Sequence, residues 1–116
     1  MSHVDVWGIP NCDTVKKARA WLDAKGIAYT FHDYKKEGAD PARLRQWIDA
    51  KGWETFLNRR GTAFRKLDPA LTADLGAETA VPLMQAHPST IKRPVVEHPG
   101  GLLVGFDAAA WQAALG

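Results

Sequence analysis

Between Val4 and His32 the apolar residues change their spacing twice, and no other feature of the chain narrows the choice of fold as much. His3-Val4-Asp5-Val6-Trp7 alternates with the period of a strand, Gly8 and Pro10 break it, and from Val15 the apolar positions recur at helical spacing. Val15, Ala18, Trp21 and Leu22 form one stripe while Lys16, Lys17, Arg19 and Lys25 face away. A helix is therefore expected over about residues 13–25, with Gly26 where a left-handed residue commonly ends one. Ile27-Ala28-Tyr29-Thr30-Phe31-His32 returns to period two, with Ile27, Tyr29 and Phe31 on one face. Strand, helix and strand with so short a return make a βαβ unit, whose strands run parallel through a right-handed crossover. The turn after the first strand then lies at the carboxyl edge of the sheet, where open α/β sheets place their sites.

That turn holds the only cysteine of the chain. Cys12 falls in the turn or at the first helical residues, where unpaired backbone N–H groups and the positive end of the helix dipole favour a thiolate and lower its pKa. A nucleophile is one reading of it. The other is a small, inert, buried hydrophobe, the commoner state of a single free cysteine. Its neighbours Asn11 and Asp13, with Gly8 and Pro10 marking a solvent-facing turn, bring the two readings level on spacing alone.

Lys35-Lys36-Glu37-Gly38 reads as a solvated connector, and Asp40-Pro41 as an N-cap followed by proline at the first helical position. The helix that follows buries Leu44, Trp47 and Ile48 and stops at Gly52. Trp53 to Thr62 reads as a short apolar turn running into a basic loop. Arg59 and Arg60 there follow Phe56-Leu57 and precede Gly61, a setting able to aim a guanidinium into a cleft, although solvated arginines are the commoner case. Asp68-Pro69 repeats the cap signal for a short helix ending near Gly76, and another helix is expected from Thr79, with Pro82 in its first turn. Residues 40–87 thus look like a helical insertion without a strand.

From Ile91 the strand pattern returns: Val95-Val96-Glu97 and Leu102-Leu103-Val104 flank His98-Pro99-Gly100-Gly101, a composition suited to an antiparallel hairpin. Asp107 caps a last helix with Trp111 and Leu115 on its apolar side, and Phe106 packs on Trp111 as a hydrophobic staple. The order βαβ, helices, ββα is that of a thioredoxin-like α/β fold: a four-stranded mixed sheet with an inserted helical subdomain, in one domain over residues 1–116. Sheets of this kind commonly carry a cis-proline ahead of the third strand, facing the active cysteine. Pro94 stands there and carries Arg93 to Cys12, although X-Pro bonds at large are cis in only about 5 to 6% of cases.

Composition removes several classes of function. A chain of 116 residues, 46% of them apolar, buries one core, and its 15 basic and 13 acidic residues, net +2, give no strong field for nucleic acid or an anionic membrane. The start Met1-Ser2-His3-Val4-Asp5-Val6 shows no basic region followed by an apolar run, so a cytoplasmic protein is expected, neither exported nor membrane-spanning. One cysteine makes no internal disulfide. The four histidines have neither ligand spacing nor cysteine partners, so no metal is expected, and the tryptophans on the helix faces suit core packing better than base stacking.

Three stretches taken together are specific: Gly8-Ile9-Pro10-Asn11-Cys12-Asp13-Thr14-Val15-Lys16-Lys17-Ala18, Asn58-Arg59-Arg60-Gly61-Thr62 and Ile91-Lys92-Arg93-Pro94-Val95, with Leu103-Val104-Gly105-Phe106 closing. Through them nearly the whole chain resembles the ArsC/Spx family of bacteria, most closely its YffB-like branch. The resemblance implies a thioredoxin-like fold and a cysteine chemistry linked to glutathione. In the arsenate reductases of the family the matching cysteine attacks arsenate while arginines hold the oxyanion. Cys12, Arg60 and Arg93 stand at three of those positions.

The departures redirect that expectation. The arsenate reductases carry a further arginine where this chain reads Gly105-Phe106 and a histidine where it reads Gly8, so a tetrahedral dianion loses a charge-assisted partner. The Cys-x-x-Cys switch of Spx-type regulators is missing, the fourth position being Val15. A phosphatase loop would need arginine where Ala18 stands. The expected activity is a glutathione-dependent thiol/disulfide reductase with catalytic Cys12, Arg60 and Arg93. Asn11 and Thr14 would donate to the sulfur and Pro94 would present backbone to glutathione. It would act as a monomer, with glutathione as co-substrate, no bound cofactor, and a small-molecule or protein disulfide as substrate. Arsenate reduction, and a non-enzymatic Spx-like binding of RNA polymerase, are the alternatives.

Overall fold

In the computed structural model, which describes residues 4–116, the elements run β1 (Val4–Gly8), α1 (Asp13–Ala24), β2 (Tyr29–Asp33), α2 (Tyr34–Glu37), α3 (Pro41–Lys51), α4 (Trp53–Phe56), α5 (Thr62–Arg65), α6 (Pro69–Thr72), α7 (Ala77–Ala86), β3 (Val95–His98), β4 (Gly101–Val104) and α8 (Ala108–Leu115). His3, counted in the first strand from its alternation, lies outside the described residues. The chain divides into two compact units, one made of the residues up to Asp33 together with Arg93–Gly116, the other of Tyr34–Lys92.

The first unit holds the whole sheet, in the order β2-β1-β3-β4. β1 pairs parallel with β2 and antiparallel with β3, and β3 pairs antiparallel with β4. This is the four-stranded mixed α/β sheet expected. Alternation on β1 sends Val4 and Val6 to one face, where they join Ala18 and Leu22 of α1, Val96 of β3 and Trp111 of α8 in the core. α1 ends as its residues dictate. Gly26 takes φ +68°, its N–H bonds the Asp23 carbonyl, and the Ile27 N–H bonds that of Leu22, a Schellman closure. That closure uses Ile27, so the strand starts at Tyr29 and not at Ile27. Arg19, expected to face away, instead lies over the Phe31 ring at 4.2 Å and donates to the Tyr29 hydroxyl at 3.1 Å. At the far end, the Asp107 carboxylate caps α8 through the Ala109 N–H at 3.0 Å, and Phe106 meets Trp111 edge-on at 4.9 Å, the staple expected.

The second unit is the helical insertion, running Tyr34–Lys92 where the sequence suggests about 40–87. Its first turn, α2, replaces the expected solvated connector: Lys35, Lys36 and Glu37 are exposed, but Tyr34 is buried to 1% and holds the turn from inside. α3 starts and stops where its capping residues require, with the Asp40 carboxylate accepting from the Ala42 N–H at 3.1 Å and Gly52 at φ +87°. Trp47 stacks on Phe56 at 5.6 Å, which turns Trp53–Phe56 into a helical turn. α7 starts two residues before Thr79, whose hydroxyl instead accepts from the Gly76 N–H at 2.8 Å, and Pro82 falls inside the helix instead of its first turn. Ala80, Val81, Leu83 and Met84 are buried around that proline, and their packing outweighs one missing hydrogen bond. Leu57 bridges antiparallel to Ile91, flanked by bonds from the Asn58 N–H to the Thr90 carbonyl and the Lys92 N–H to that of Phe56. Among the described residues no helix is long and apolar enough to cross a membrane.

Candidate active site

Four residues separate the end of β1 from α1, and their backbone decides where the sulfur sits. Ile9 is buried, Pro10 and Asn11 are exposed, and the Cys12 N–H bonds the Ile9 carbonyl at 3.2 Å, closing a tight turn. Cys12 is extended, at φ −89° and ψ 128°, while its carbonyl already accepts from the Lys16 N–H at 2.9 Å. It is therefore the N-cap of α1, half in the helix, with its side chain beside the N–H groups that have no partner within the helix. Cys12 is partly exposed, so the inert, sealed state does not describe it.

Topology brings the second group. Because β3 runs antiparallel to β1 with Trp7 opposite Val95, the residues that lead into β3 lie beside those that leave β1. The Arg93 side chain hydrogen-bonds the Cys12 sulfur from there. The Arg93–Pro94 peptide is cis, and Pro94 is buried. Pro94 has no N–H, and its carbonyl accepts from the Gly105 N–H at 2.8 Å.

Burial of the sulfur is the largest single influence on its acidity and pushes the thiol up. Against it act the Val15 N–H, the hydrogen bond from Arg93, the Thr14 N–H and the charge of Arg93, in that order, and together they hold the thiol below the ordinary cysteine range. The two backbone contacts fall short of the geometry of a capping hydrogen bond, as suits a large, soft acceptor.

The other expected residues are distributed unevenly. Thr14 acts on the sulfur through its backbone N–H, its side chain being exposed, and Asn11 is exposed in the turn. Arg60 belongs to the other unit, on an exposed turn. Its neighbour Arg59 donates to Glu54 at 3.2 Å and lies over the Trp53 ring. Val15 is a core residue by its spacing, and its part at the sulfur goes beyond that. The signal for this second role is present in the sequence, since the third residue after an N-cap presents its N–H to the cap side chain.

The comparisons agree with this fold. A YffB protein of known structure is 55% identical and superposes with a TM-score of 0.94 over 97% of this chain and 99% of its own. An arsenate reductase-related protein from Brucella melitensis is 51% identical, with a TM-score of 0.76 over 96% of this chain and 92% of its own. The global transcriptional regulator Spx of Streptococcus agalactiae is 28% identical over 84% of this chain and 72% of its own. With the ArsC family model matching residues 7–114, nearly end to end, the chain belongs to the ArsC family.

Proposed function

We propose that this protein is a glutathione-dependent thiol/disulfide reductase that works through one cysteine. The Cys12 thiolate attacks the glutathionyl sulfur of a mixed disulfide, forming a Cys12–glutathione disulfide and releasing the substrate as a thiolate that takes a proton from water. A second glutathione thiolate attacks the glutathionyl sulfur of that intermediate, so that oxidised glutathione leaves and Cys12 returns as thiolate. Two electrons pass from glutathione to the substrate. The observation that carries the reading is the pairing of Cys12 with Arg93 at a helix start, which keeps the thiol acidic. A single cysteine supports an external resolving thiol, because the chain holds no second one.

Arg93 stabilises the thiolate both as attacking and as leaving group, and Pro94, the next residue, is the candidate to present backbone to glutathione. Arg60 enters the proposal on the sequence resemblance, as a holder of substrate or glutathione carboxylate. Arsenate is disfavoured by two residues. Gly105 sits at φ +77°, and Phe106 is turned edge-on to Trp21 and Trp111, so neither supplies the further guanidinium that a dianion needs.

The deciding experiment compares turnover of a glutathione–mercaptoethanol mixed disulfide with turnover of arsenate, each with glutathione as reductant, in the parent and in Cys12→Ser. Disulfide turnover that disappears in Cys12→Ser is the expected result. Faster turnover of arsenate would replace the reading with arsenate reduction. A parent inert toward both would favour a non-enzymatic role of the kind borne by the Spx relatives.

A further inference from the structure

The last residue of β1, Gly8, faces the first turn of α1 with no side chain between them. A Cβ built on Gly8 would stand 2.8 Å from Cγ2 of Val15 and 3.4 Å from its Cγ1, with the Phe31 ring at 3.6 Å. The first of these distances is closer than packed carbon atoms approach. Val15 has little room to yield: it is β-branched, so its χ1 is stiff, and it is fully buried in the first unit. Val15 is also the third residue after the N-cap Cys12, the one whose N–H a capping side chain meets.

We infer that Gly8 is a positioning residue for the reactive sulfur: its missing side chain lets Val15 sit directly on the strand end, and this seats the Val15 N–H against Cys12. With valine at position 15, a methyl group at position 8 displaces the first turn of α1 and withdraws that N–H, while the cysteine and the arginine keep their identity. The charged group that acts on the sulfur is Arg93, from the segment ahead of β3, and Asp13, next to Cys12, is exposed. Neither is touched by the substitution. The inference rests on the reading of Cys12 as an ionised thiol, and it adds the reason the N–H lies where it does.

The test is the pH dependence of iodoacetamide alkylation in the parent, Gly8→Ala, Val15→Ala and the double variant, each below its melting transition. Gly8→Ala is expected to alkylate about three- to tenfold more slowly near pH 6.5, because rate follows thiolate fraction. The double variant, in which the clashing methyl groups are gone, is expected to return to within about twofold of Val15→Ala alone. Parent-like alkylation of Gly8→Ala overturns the inference, as does a loss that the double variant keeps. A parent thiol that titrates at the ordinary value of about 8.5 overturns the proposed function as well. A low parent value without disulfide turnover overturns the proposed function alone.

Discussion

Arg93 hydrogen-bonds the sulfur of Cys12 although most of the chain lies between them. The link depends on one property of the sheet, the antiparallel pairing of β3 with β1, which sets the start of the third strand against the end of the first. A parallel third strand would carry Arg93 to the opposite edge. The arginine is thus part of the topology as much as of the chemistry.

Replacing Arg93 with Ala removes a hydrogen bond and a charge from the thiolate but leaves the Val15 and Thr14 N–H groups in place. The thiol pKa is expected to rise, and alkylation near pH 6.5 to slow by about three- to tenfold. Arg93→Lys keeps the charge and loses the planar fork, so its value should fall between those of the parent and Arg93→Ala. Alkylation rates against pH check this. Equal profiles for all three would remove Arg93 from the site.

The same depressed pKa makes stability depend on pH, and its sign is fixed. The folded protein holds the proton of Cys12 less tightly than the unfolded chain, whose thiol titrates at about 8.5. The contribution of the thiolate is therefore complete above that value and is lost as pH falls through the lower, folded value. Urea unfolding of the parent and of Cys12→Ser, under reductant, should show the parent gaining on the variant from pH 5 to pH 9. A difference flat across that range would mean that folding does not perturb the thiol.

Whether a feature of this chain is legible in its sequence depends on whether the cause is local. Asp40-Pro41 and Asp107 announce their helices because capping is settled within a few residues, and Phe106 with Trp111 announces a staple for the same reason. The helical turn Tyr34–Glu37 is hidden because the burial of Tyr34 holds it, and the place of Pro82 is hidden because buried neighbours carry α7 past it. At the site, the setting of Cys12 is legible from the turn, and Arg93 from strand order and resemblance. The Val15 N–H is legible only through its place, three residues after the N-cap, since a backbone group leaves no mark in the identity of its side chain. Arg59, half of a pair that looks equally suited to a cleft, is bound to Glu54, a contact that spacing leaves among several possibilities.

The closing helix is expected to be a large source of stability in the first unit. Trp111 is buried to 1%, meets Phe106 at 4.9 Å and Trp21 at 5.8 Å edge-on, and donates from Nε1 to the Gly105 carbonyl at 3.1 Å. Trp111→Phe keeps most of the apolar contact but strands that carbonyl, at a cost of about 1–3 kcal/mol. Phe106→Ala, at a half-exposed ring, should cost about 2 kcal/mol. Because the two rings touch, the double variant should lose less than the sum, which urea unfolding of the four proteins measures.

Gly105 separates a conformational cause from a steric one. It sits at φ +77° with nothing within 4 Å of the point where a Cβ would stand, its N–H holds the Pro94 carbonyl, and its own carbonyl accepts from Trp111. A side chain there meets open space but an unfavourable backbone, so Gly105→Ala should cost about 1–2 kcal/mol through the left-handed conformation alone. Asn tolerates that conformation better than Ala although it is larger. Gly105→Asn should therefore be the less harmful substitution, as thermal unfolding would show. If crowding were the cause, the order would reverse, because the bulkier side chain would then lose more.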